Sequence, residues 1–143
     1  MTSLEYLAGF FDGEGCITTG GGHDLPHLRV AVAQVDQAIL VEFKQWFGGN
    51  IYLLTAGIPH RRDSYQWVIG GKPAAKCLGQ LLPYLQQKQQ QARLGIELAA
   101  WTGGVGNNIA DRVWRQEAKP LRLAIGAALG VAKEHYQAAS SSR

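Results

Sequence analysis

The segment Leu7-Ala8-Gly9-Phe10-Phe11-Asp12-Gly13-Glu14-Gly15 constrains this chain more than any other part of it. Thr2 and Glu5 have the spacing of a helix-opening capping box, and a helix begun there stacks Leu4, Leu7, Ala8 and Phe11 on adjacent turns. Gly9 and Gly13 lie four residues apart with Ala8 beside them, so one helix face lacks bulk and admits a second helix backbone. The helix should stop at Gly13 or Gly15, with the carboxylates of Asp12 and Glu14 at its end. Two such helices packed side by side would bring Glu14 near its counterpart. Facing carboxylates repel unless a divalent cation lies between or beside them, and hard oxygen donors of this kind suit Mg2+.

Beyond the helix, the pattern predicts a strand over Cys16 to Thr19, a loop GGGHDLPH, and a second strand over Leu28 to Val35. Asp36 caps a helix over Gln37 to Phe47, with Ile39, Leu40, Phe43 and Phe47 at helical spacing and Gly48-Gly49 as its stop. Strands over Ile51 to Ala56 and Ser64 to Ile69 flank the basic connection GIPHRRD. Lys72-Pro73 opens another helix, Pro83 interrupts it, and a further helix runs from about Leu85 to Trp101. The order αββαββα predicts an α+β fold: an antiparallel four-stranded sheet with its helices on one face and the other face free for a partner. The remainder begins with GGVGNN and continues as a helix kinked or broken at Pro120.

With 143 residues and 46% hydrophobic content, one domain spanning 1–143 is expected, residues 102–143 being a C-terminal helical extension. A core of that size needs no disulfide, and Cys16 and Cys77 form no CxxC pair, so both read as reduced thiols of an intracellular protein. No basic, apolar leader opens the chain and no apolar stretch approaches the ~18 residues of a spanning helix, so neither secretion nor a membrane is expected. Fourteen Lys and Arg against eleven Asp and Glu give a net +3, which suits a polyanionic partner without establishing one. His23 and His27 have an H-x3-H spacing, but a Gly- and Pro-rich loop without a cysteine pair is poor ground for zinc. The four tryptophans, Trp46, Trp67, Trp101 and Trp114, are assigned to the core or an interface.

The nonapeptide resembles the motif of the LAGLIDADG homing endonucleases: Leu7, Ala8, Gly9, Asp12 and Gly15 coincide, and Glu14 keeps the last acid of that motif as a carboxylate. Leu82-Pro83-Tyr84-Leu85 followed by Gln86-Gln87-Lys88-Gln89 is similar to a second stretch of the small homodimeric members, so the likeness runs from residue 4 to about 100. It implies a homodimer that cleaves both strands of a long pseudo-palindromic double-stranded DNA by metal-dependent phosphodiester hydrolysis, in the homing of an intron- or intein-type element. Mg2+ would be the cofactor, with no small-molecule cofactor, and the setting cytoplasmic, nucleoid or organellar. By the same resemblance Glu14 and the Gly13 carbonyl would bind metal, and Glu14, Gln37 and Lys88 would be catalytic. Leu7, Ala8, Gly9, Phe11 and Asp12 would line the dimer interface, Asp12 mainly bracing the helix end. The relatives often carry an arginine one turn after that glutamine, where this chain has Val41, leaving Lys44 or another residue to supply the charge.

On the open sheet face, an ungapped alignment selects Thr18, Gln34, Ser64 and Gln66 as groove-facing. The same register exposes Leu28, Val30 and Val32, apt only for thymine methyls, whereas a one-residue shift brings Arg29 to the DNA side. Arg61 and Arg62 are expected to meet phosphate or guanine. The rival reading is a catalytically inactive nucleic-acid-binding protein of the same fold, an RNA splicing maturase or a DNA-binding regulator. A hydrolase pairing Asp12 with Glu14 as acid and base is disfavoured, because residues two apart on a helix point in different directions.

Overall fold

The computed structural model describes residues 2–20, 27–54, 62–100 and 119–134. Helix α1 (Leu4–Glu14) runs without a loop into strand β1 (Gly15–Gly20), and β2 (His27–Gln34) leads to α2 (Gln37–Phe47). Strands β3 (Asn50–Leu53) and β4 (Tyr65–Gly70) precede α3 (Gly71–Leu81), a 3-10 turn over Leu82–Tyr84, and α4 (Gln89–Ala100). A further helix, α5, covers 119–134. The αββαββα order and the α+β class agree with the sequence pattern.

Several boundaries differ, each for a local reason. The N-cap of α1 is Ser3, whose hydroxyl accepts from the Tyr6 N–H at 3.2 Å. Thr2 is engaged instead with α2: its N–H donates to Glu42 Oε2 at 3.4 Å and its carbonyl accepts from Trp46 Nε1 at 3.0 Å. Helix α4 starts at Gln89 rather than near Leu85, because residues 86–88 turn their backbone N–H groups outward to another acceptor. The described part of α5 is helical from 119 through Pro120, and the residues before it, on which the expected kink or break at Pro120 depends, lie outside the described residues.

The sheet is antiparallel with strand order β1-β2-β4-β3. Ile17 pairs with Val30, Val30 with Ile69 and Val32 with Trp67, and all of these lie in one buried cluster with Leu28. The helices pack on that side through Leu7, Phe11, Leu40, Phe43, Leu78 and Leu81. Alternation then sends Thr18, Arg29 and Gln66 to the other face. The ungapped register is therefore corrected by one residue on β2: Leu28, Val30 and Val32 are core.

An aromatic group closes one side of the core, with Phe43 and Trp67 ring centroids 5.0 Å apart and the Trp67 indole N–H donating to the Gly48 carbonyl at 2.7 Å. Gly49 is required there: its φ is +87, and a Cβ would come within 2.5 Å of the Val68 carbonyl oxygen. Trp67 is core and Trp46 half-buried, as expected, while Trp101 and Trp114 lie outside the described residues. Gly95 lets α4 lie close to the sheet, since a Cβ would meet Leu28 Cδ1 at 2.9 Å and Leu78 Cδ1 at 3.0 Å.

Helix α5 adds Ile125 and Leu129 to the core. It touches both sides of the edge strand β1: a Cβ at Gly126 would lie 3.6 Å from Thr19 Cγ2, and Lys133 Nζ lies 3.6 Å from Cys16 Sγ. A helix placed so shields an edge that could otherwise pair with another strand. Cys16 is exposed and Cys77 buried, both free thiols, and burial pushes the Cys77 pKa up. No helix among the described residues is long and apolar enough to cross a membrane.

Candidate functional site

The last turn of α1 collects negative charge: the helix dipole ends there, Asp12 and Glu14 lie in it, and it holds no basic residue. The Asp12 carboxylate is hydrogen-bonded from outside the helix. Its Oδ2 accepts from the Gln86 N–H at 2.7 Å, and its Oδ1 accepts from the Gln87 and Lys88 N–H groups at 3.1 and 3.0 Å. The Lys88 ammonium donates to the Asp12 carbonyl at 2.5 Å. A helix end leaves its last carbonyls without intrahelical donors. Here the Phe11 carbonyl accepts from the Gly15 N–H and that of Asp12 from Lys88, which leaves Gly13 and Glu14 to offer oxygen outward.

Glu14 is exposed and its carboxylate has no partner among the described residues. The structure thus brings Glu14, Gly13 and Lys88 to one helix end. Gln37 is less closely tied to them. Gly15 pairs with Val32, so the turn from β2 into α2, carrying Asp36 and exposed Gln37, leaves the sheet at the end where Glu14 enters it. The Asp36 side chain accepts from the Ala38 N–H at 2.9 Å and fixes that turn. Val41, at the position where the resemblance led an arginine to be expected, is exposed, and Lys44 lies about two turns beyond Gln37, in the last turn of α2.

Leu7, Ala8 and Phe11 are 0% exposed within this chain, so the expectation that they line a dimer contact is corrected. Their stripe faces the chain's own core, because burying it there needs no partner. Asp12 is spent on the turn at 86–88. The unclaimed face carries Tyr6, Gly9 and Gly13: Tyr6 is 58% exposed, and a Cβ on either glycine would meet nothing within 4 Å. A shallow groove beside it is lined by Gly9, Asp12, Gly13, Tyr84, Gln86 and Gln87.

Across the open sheet face, successive rows read Thr18–Arg29–Gly70, Cys16–Ala31–Val68–Asn50 and Ala33–Gln66–Tyr52. Ser64 prolongs the last ladder by one pair, its carbonyl accepting from the Leu54 N–H at 2.8 Å. Gln34 is removed from this set: it pairs with Tyr65 on the helix side, and its side chain accepts from the Val35 N–H at 2.9 Å. Arg62 is exposed in the segment entering β4, and Arg61 lies outside the described residues. Tyr52 and Asn50 were not singled out by sequence, although alternation with Gln66 and Val68 places them on this face. Lys133 beside Cys16 left no sequence signal, because its place depends on how α5 packs.

An antiparallel sheet with one face left open by α1 to α4, and a helix ending at that sheet's edge in Glu14, which has no partner among the described residues, match the LAGLIDADG endonuclease fold. Solved structures agree. The homing endonuclease I-CvuI in complex with its target matches with a TM-score of 0.67 at 23% identity, over 90% of this chain and 80% of that one. The archaeal intron-encoded homing endonuclease I-Vdi141I, complexed with DNA, gives 0.66 at 17% identity over 90% and 82%. I-SmaMI, bound to an uncleaved DNA target with calcium ions, gives 0.64 at 18%, covering 97% of this chain and 49% of that one. No protein-family model matches the sequence, and no curated protein matches it either.

The donor set fits a hard divalent cation. Glu14 offers a carboxylate at the negative end of a helix dipole and Gly13 a backbone carbonyl in the same last turn, both oxygen ligands. No cluster of three His, Cys, Asp or Glu exists among the described residues.

Proposed function

We propose that the chain is a metal-dependent endonuclease that acts as a homodimer on a long pseudo-palindromic duplex, the activity of an element that homes into DNA. The observation that carries this reading is the end of α1: a Glu14 with no partner among the described residues, at the same helix end as a lysine that the Asp12 clasp holds in place. A solvated surface acid would need no such support.

Duplex DNA would lie along the open face, with Thr18, Arg29 and Gln66 entering the major groove and Arg62 and Ser64 meeting it at the end near Glu14. Each chain has one Glu14-bearing helix end, and cutting two strands takes two. Packing of α1 against its copy through Tyr6, Gly9 and Gly13 would bring the two ends together. Glu14 and the Gly13 carbonyl would hold the cation, which when bound stabilises charge on the attacking and leaving oxygens. Lys88 has given one N–H to the Asp12 carbonyl and keeps others for the charge that develops on the phosphate. Gln37 would hold a water at the same end of the sheet.

Selection of cleavable sites from a randomised duplex library in Mg2+ tests the reading. Wild-type protein should enrich symmetric sites, and Glu14→Gln should lower cleavage by roughly 10²- to 10³-fold or more while leaving DNA binding intact. Tight binding by the wild type without any strand scission would replace this reading with that of an inactive nucleic-acid binder.

A further inference from the structure

Arg29 and Gln66 stand on β2 and β4, the two inner strands of the open face. They are not opposite one another: Arg29 faces Gly70 and Gln66 faces Ala33. The guanidinium nevertheless reaches along the strands, and its Nη2 donates to Gln66 Oε1 at 3.0 Å. The way is clear because Gly70 has no side chain and the intervening pair, Ala31 and Val68, is short. Ala31 is only 1% exposed although it lies on the face that α1 to α4 leave bare, consistent with an arginine laid across it.

Arginine has donors only, so it draws the amide oxygen of Gln66 toward itself and turns the amide NH2 outward. The pair therefore offers a cluster of N–H groups to whatever approaches. Two adjacent acceptors on one base edge, N7 and O6 in the major groove, belong to guanine, and a guanidinium fork matches them. Phosphate oxygens share this acceptor chemistry, but a residue on the inner strands lies under the floor of the groove, where base edges come, and not at its walls. Resting on the DNA-binding reading above, we propose that Arg29 reads a guanine in each half-site and that Gln66 is its positioning residue, holding the guanidinium on the sheet.

The test enriches bound duplexes from a pool randomised across the target, using the full chain as wild type, Arg29→Ala, Arg29→Lys, Gln66→Ala and the double alanine variant. Wild type should prefer guanine at one symmetry-related pair of positions. Arg29→Ala and Arg29→Lys should each reduce that preference roughly tenfold, with other positions unchanged. Gln66→Ala should reduce it at the same positions and add nothing once Arg29 is alanine, a coupling that a merely structural role would not produce. Arg29→Lys keeps charge and length, so the test survives if an alanine variant fails to fold. Weakening that is equal for all sequences, with a shallower salt dependence, identifies a phosphate contact and overturns the inference. An unchanged guanine preference in Arg29→Lys overturns it too. A wild-type pool with no enriched sequence overturns the DNA-binding reading itself.

Discussion

Along α1, Leu7, Ala8 and Phe11 are sealed from solvent, while Gly9 and Gly13 on the adjoining face could each gain a Cβ that touches nothing. A hydropathy pattern alone treats these five residues as one apolar surface. The two faces differ in who uses them. The first buries area for the chain's own stability, and its side chains are shaped to the aromatic core around Phe43. On the second, small size meets nothing among the described residues, which is where the proposed reading places a second copy of the helix.

Substitutions should separate the two faces. Phe11→Ala empties the packed side and should cost about 3–5 kcal/mol, read as a lower urea midpoint. Gly95→Ala presses a methyl between Leu28 and Leu78 and should cost about 1–3 kcal/mol by the same measurement. Asp12→Ala removes the acceptor of three backbone N–H groups; we expect a loss of about 1–3 kcal/mol, with a fall in any Lys88-dependent cleavage. Gly9→Leu, on the bare side, should change the stability of the isolated chain by no more than about 0.5 kcal/mol, yet light scattering should show that the variant no longer pairs. A wild type that stays monomeric on DNA would remove the purpose assigned to that face. The smallest effect separates the two thiols: Cys16 should react with a thiol reagent at once, and Cys77 only as fast as the chain opens. Burial raises the Cys77 pKa from its ordinary 9.0, so the folded chain keeps the proton after the unfolded chain has lost it. Stability from this group is complete below pH 9 and falls as pH rises above it, a loss that Cys77→Ala should abolish in alkaline denaturation curves.

Much of the fold was legible because local signals agreed. Asp36 and the glycines at 48 and 49 bound α2 as the sequence predicts, and the helical spacing of Leu4, Leu7, Ala8 and Phe11 marked α1, although which body that stripe faces was misassigned. The register of β2 was also legible in principle, since Leu28, Val30 and Val32 alternate as a core-facing strand should. An ungapped alignment pulled against that alternation, and burial decided in favour of the alternation. Other features could not be read because tertiary contacts create them. Thr2 is taken from its capping role by Glu42 and Trp46, residues 42 and 46 of the chain, and Lys133 reaches Cys16 only after α5 docks. Around the candidate site, Glu14, Gly13 and Lys88 could be picked out one by one. That Asp12 binds them into a unit was not visible from spacing, because its partners are more than seventy residues away.

That carboxylate makes two distant stretches of chain share one anchor. The turn at 86–88 and the Lys88 ammonium are both hung from Asp12, two residues before Glu14 on the same helix, so the lysine is tied to the helix end that carries the acid. Changes of sequence in the loops between residues 14 and 86 can then accumulate without loosening Lys88 from the end of α1.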